Sequence, residues 1–212
     1  MRNTNLKIIF ILFLINNFIF SSLLSQINVS IVVKVGKSLV TSLDVENEII
    51  TNLVINGQEI TQESVNKNKN YAIKNLIKKS IKLNEINKYK IKNYNKKDLQ
   101  NYIKNIAENL NTDLNGLKDI FKVHNISYDL LEEKYIIELK WNTLIFQIYK
   151  NQTNINIVEV ENNVEKIKEN KSEEELKIIK KNVLEKKTKE KLNLFSRSHF
   201  SNLENTVIVD FK

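Results

Sequence analysis

The sequence predicts a mainly α protein with a small β-sheet, and three observations carry that expectation. Proline is absent and there are only 3 glycines, so few breakers interrupt a chain rich in Leu, Ile, Lys and Glu. Apolar residues recur at helical spacing through most of the chain beyond Thr41. Two segments, Val29 to Val35 and Val207 to Phe211, instead alternate with period two, as half-buried strands do. At 42% apolar and 27% charged residues, the chain is not disordered by composition.

The chain opens with a basic start (Arg2, Lys7), an apolar run from Ile8 to Ile15, and small residues at Ser21, Ser22 and Ser25. This is the layout of a secretory signal peptide over residues 1–25, cut after Ser25. The rival reading is an uncleaved anchor, because Ile8 to Leu24 falls just short of the roughly 20 residues that span a bilayer. Either reading exports residues 26–212.

The first strand places Val29, Ile31, Val33 and Val35 on one face. Gly36-Lys37-Ser38 has the ending of a phosphate-binding loop. Such a loop needs a glycine five residues before Gly36, where Ile31 stands, and a helix directly after the Lys-Ser pair, where more strand-like residues follow. Gly36-Lys37 is therefore read as a hairpin turn, with glycine supplying a positive φ. Ser38 to Val40 returns as a second strand. Thr41 and Asp44 form a capping-box-like start to a helix running to about Ile55.

A helix from about Val65 to Tyr89 follows, then one with its apolar stripe at Leu99, Ile103, Ile106 and Leu110. Thr112 is expected to cap the next helix and Asn125 to stop it in the left-handed region. Ser127 is expected to cap the longest helix, up to Lys150. Its apolar circumference is wide enough for burial on several sides or for a partner. Beyond Thr153 come a short extended piece and another helix start. A linker-like stretch, Lys166 to Lys171, leads to a charged closing helix over 172–203, with Ser172 and Glu175 as its capping box. An isolated hairpin is marginal in water, so the terminal strand over 205–211 is expected to join the N-terminal pair.

Ile31 to Ile49, with its apolar strand, turn and Thr-x-x-Asp-Val helix start, resembles the SurA-like periplasmic chaperone family. The helix rhythm from Lys88 to Lys150 and the segment from Ile155 to Ile167 are similar to that family, with Asn125 at its usual turn glycine. The resemblance covers most of residues 29–165; beyond them only the pattern matches. It implies a helical chaperone core that binds unfolded outer-membrane proteins in the periplasm without ATP. Family members carry parvulin-type isomerase domains before the closing helix. Here Lys166 to Lys171 is far shorter than the roughly 50 residues a domain needs, so no isomerase activity is carried over.

No catalytic constellation stands out, and the chain is expected not to be an enzyme. His124 and His199 are the only histidines, lie far apart, and have no zinc-ligand spacing; without cysteine, thiolate chemistry and disulfides are excluded. No metal or cofactor is expected. His124 is read as a helix-end residue. The formal net charge is +8, but lysines are mixed with glutamates along every helix rather than gathered with aromatics, which argues against nucleic acid and leaves room for a weak membrane-surface contact. Lys and Asn are so abundant throughout that they are discounted as functional signals. Client contact is assigned to Phe121, Tyr128, Tyr135, Trp141 and Tyr149, large aromatic side chains whose ordinary role is core packing. An exported scaffold or assembly subunit, with one specific partner and no chaperone activity, is the alternative function. The oligomeric state is not legible from the sequence.

Overall fold

The computed structural model describes residues 29–166 and 171–212. The expected export segment, residues 1–25, and the interior of the expected linker lie outside the described residues. The elements from Ile31 onward are β1 (Ile31–Val35), β2 (Ser38–Thr41), α1 (Ser42–Ile55), α2 (Gln62–Lys88), α3 (Lys96–Asn109), α4 (Leu114–Val123), α5 (Asp129–Tyr149), a single 3-10 turn (Lys150–Gln152), α6 (Ile157–Glu165), α7 (Glu173–Thr206) and β3 (Val209–Phe211). Ile31–Lys212 forms one compact unit.

The sheet has the strand order β2-β1-β3, antiparallel throughout, so the terminal strand joins the N-terminal hairpin. Val33 lies opposite Val40 and Phe211, and Val35 opposite Ser38 and Val209. Gly36 turns the hairpin at φ +58°, and its N–H donates to the Ile208 carbonyl at 2.9 Å. Gly36-Lys37-Ser38 is thus a turn that tethers the C-terminal strand. Val33, Val35 and Val40 are buried, but Ile31 is exposed. The register slips between Ile31 and Val33, which removes Ile31 from the expected apolar row.

Three apolar clusters hold the helices. The sheet, α1 and α2 share the first, around Val33, Val35, Ile49 and Leu53. The second joins α1, α3, α4 and α5 around Phe121 and Leu131. The third, around Ile86, Trp141 and Leu144, lies between α2 and α5, with Phe195, Phe200 and Leu203 of α7 laid over it. Helix α5 therefore packs on α2, α3 and α7, which accounts for its wide apolar circumference.

Most local signals act as expected. Thr41 with Asp44, and Ser172 with Glu175, form reciprocal capping boxes. Asn125 stops α4 at φ +55° and His124 caps its C-terminus. Three expectations are corrected. Asp113, not Thr112, caps α4 by accepting the Gly116 N–H at 2.8 Å, because the carboxylate is the residue next to the helix. At α5, Ser127 Oγ accepts the Asp129 N–H at 3.2 Å, but Tyr128 already has helical dihedrals and occupies the cap. With 21 residues, α5 is also shorter than α2 with 27 and α7 with 34. Among the described residues, no helix is long and apolar enough to cross a membrane.

Candidate functional site

Helices α1, α2 and α5 enclose an open groove of about 380 Å³. Helical spacing puts its lining there. Glu48, Asn52 and Ile55 lie at i, i+4 and i+7 on α1, and Tyr71, Asn75, Lys78 and Lys82 at i, i+4, i+7 and i+11 on α2. Lys134, Tyr135 and Glu138 complete it from α5.

The groove floor is a polar network. Glu48 accepts from Lys134 Nζ at 2.8 Å, from Asn52 Nδ2 at 2.9 Å and from Asn75 Nδ2 at 3.2 Å. Lys134 also donates to Asn52 Oδ1. Every partner of this nearly buried carboxylate is a donor, so its charge stays compensated. Lys79 and Lys82 reach from α2 to Glu133 and Glu138 of α5 at 3.1 and 2.6 Å.

The apolar part comes from Ile55, Ile137 and two tyrosines. Tyr135 stacks on Tyr102 of α3 with ring centroids 5.3 Å apart. Burial, and then the neighbouring Tyr102, push the Tyr135 phenol pKa up, so it is a neutral donor at physiological pH. Tyr71 stands 59% exposed at the rim. Amides, phenols and aliphatic carbon in one open groove can hydrogen-bond a peptide backbone and cover its side chains with little demand on sequence.

The five aromatics proposed from the sequence are not brought together. Only Tyr135 lines the groove. Phe121 is buried in the second cluster, edge-on to Tyr128 at 5.9 Å. Tyr128 is half-buried, with Lys118 Nζ 5.3 Å from its ring, and burial followed by the Glu132 carboxylate raises its pKa. Trp141, 2% exposed, is core, and its Nε1–H donates to Ser196 Oγ of α7 at 2.8 Å. Tyr149 stacks on Phe195 of α7 at 4.7 Å. The client-surface assignment is therefore corrected for Phe121 and Trp141, whose rings are enclosed. Tyr128 and Tyr149 contribute to packing away from the groove.

His199 acquires neighbours that its sequence position conceals. Tyr149 Oη lies 2.9 Å from Nδ1, and Glu85 Oε1 lies 3.3 Å from Nε2. A carboxylate only accepts, so the tautomer protonated at Nε2 satisfies both contacts, with the phenol donating to Nδ1. This acid–imidazole–hydroxyl chain draws on α2, α7 and α5, and its hydroxyl belongs to a ring covered by Phe195. It is a clasp between helices. Among the described residues, no cluster of His, Cys, Asp or Glu is arranged to hold a metal.

Tyr71, Asn52 and Asn75 were not found from the sequence. Asn52 even interrupts the apolar face of α1, at i+3 from Ile49 and i+7 from Val45. In a chain this rich in asparagine, nothing distinguishes the ones that meet across two helices. No protein-family model and no curated protein matches the chain.

Proposed function

We propose that the chain is an ATP-independent holdase of the SurA-like kind. It would act in the periplasm on unfolded outer-membrane proteins and lack prolyl isomerase activity of its own. The observation that carries this reading is the groove between α1, α2 and α5, which sets two tyrosine rings, Ile55 and Ile137 beside asparagine amides and charged side chains. An extended polypeptide offers the complementary chemistry: a repeating amide backbone, with apolar and aromatic side chains on alternate sides. Binding the unfolded client lowers the concentration of free aggregating chain by mass action, without ATP. The chain's net charge of +8 favours encounter with acidic segments.

The test dilutes an unfolded outer-membrane barrel protein into buffer and follows light scattering with and without residues 26–212. Suppression near equal stoichiometry, beyond that given by a basic control protein, is the expected result. Tyr71→Ala, at the exposed rim, should weaken client affinity about tenfold with the helical circular dichroism unchanged. Scattering no lower than with the control protein would defeat the holdase reading. Wild-type suppression by the Tyr71 variant would leave the activity intact and place it outside this groove.

A further inference from the structure

One exposed face in the first half of α7 is self-complementary, and we propose that it pairs antiparallel with the same face of a second copy of this chain. In the first half of α7, Leu176, Ile179 and Val183 are half-buried. Helix α6 packs on α7, with Val160 buried and Lys180 bonded to Glu161 at 2.7 Å. Among the described residues, none covers the opposite face. It reads Glu174, Lys177, Ile178, Lys181, Leu184 and Glu185, which are steps of i, i+3, i+4, i+7, i+10 and i+11 and so form one continuous stripe. All six are exposed, Ile178 at 55% and Leu184 at 41%.

The stripe is symmetric about Lys181. A two-fold axis through that residue sets Ile178 against Leu184 of the second copy, and Leu184 against its Ile178. The same operation sets Lys177 against Glu185, twice. Glu174 then faces Thr188, a neutral partner. The only like charges to meet are the two Lys181 side chains on the axis, and each has Glu185 of its own helix 3.9 Å away to offset it. A parallel pair would instead stack Lys177 on Lys177 and Glu185 on Glu185, so the charge order selects the antiparallel arrangement. Charge complementarity and the matched apolar pair name the occupant, a second copy of α7.

The natural chain contains no cysteine, so a single introduced one reports position without interference. In the full chain, Lys181→Cys lies on the axis and should oxidise to a disulfide-linked dimer. Lys186→Cys, also exposed but turned away from the stripe, should form at least about tenfold less. Sedimentation of the wild type should show a dimer that grows with concentration and weakens with salt. Lys177→Glu should weaken it about tenfold, and adding Glu185→Lys to the same chain should restore it. Circular dichroism checks that α7 persists in each variant. A wild type that stays monomeric at every concentration would overturn the proposal. So would equal crosslinking from positions 181 and 186, or a double charge swap that fails to restore the dimer.

Discussion

Trp141 shows how much one side chain can carry. Its indole fills the space between α2, α5 and α7, edge-on to Phe200 at 6.1 Å, and its one donor is satisfied by Ser196. Trp141→Ala should cost about 3–5 kcal/mol through the cavity it leaves, and denaturant titration should show the midpoint collapse. Trp141→Phe keeps most of the volume and forfeits the hydrogen bond, so about 1–2 kcal/mol is expected. If the alanine variant melted like wild type, the ring would be a surface feature after all. Tyr149→Phe tests the clasp in the same way: it leaves His199 Nδ1 without its phenol partner, and a loss of about 1 kcal/mol should appear in thermal unfolding. In the groove floor, Lys134→Met would strand the Glu48 carboxylate with two amide donors and no cation, at a cost of about 2 kcal/mol in urea unfolding.

At the scale of elements, helix ends are written locally and helix faces are not. Ser172 accepts the Glu175 N–H, and the Glu175 carboxylate accepts from the Ser172 N–H at 2.7 Å and from its hydroxyl at 2.9 Å. Those bonds, the backbone one first, hold the Glu175 carboxyl below its ordinary pKa of 4.5. A depressed carboxylate pKa contributes stability above its unfolded value and loses it as pH falls through the folded value. Acidification from about pH 4.5 downward should therefore fray the first turn of α7 before the sheet or α5 responds. Amide exchange at residues 173–176 against residues 141–145 reads that order. Ser172→Ala should produce the same fraying at neutral pH, worth about 1 kcal/mol locally. The expectation that Thr112 caps α4 failed because two cap-competent residues stand side by side. Which one meets the Gly116 N–H depends on where the chain leaves Leu110, and that is a matter of packing.

For the molecule as a whole, the decisive contact joins residues far apart in sequence. Strand β3 bonds to β1 and seals one side of the sheet, while Val207 and Val209 pack on the first cluster. Ending the chain after Thr206 would expose the β1 edge and uncover part of that cluster. A loss of about 2–4 kcal/mol and faster aggregation on heating are expected, measured by calorimetry and turbidity. Unchanged melting would mean that the hairpin and helices hold without closure. The pairing was legible because a two-stranded hairpin is unstable alone and Val207 to Phe211 alternates with period two.

Fold class, the hairpin at Gly36, the capping boxes at Thr41 and Ser172, the helix stop at Asn125 and the return of the last strand were determined by the sequence itself. These are the features that depend on local chemistry: glycine at positive φ, hydroxyl and carboxylate caps, and the period of the apolar residues. The tertiary structure alone decided which face of each helix met which neighbour. Trp141 and Phe121 look the same in the sequence as Tyr135, and only packing put two of them inside the core and one in the groove. Asn52, Asn75 and Lys134 look like any other surface residue until α1, α2 and α5 bring them around Glu48. The groove arises from side chains far apart in the chain. Periodicity reports the distance between turns of one helix and carries no information about the distance between two.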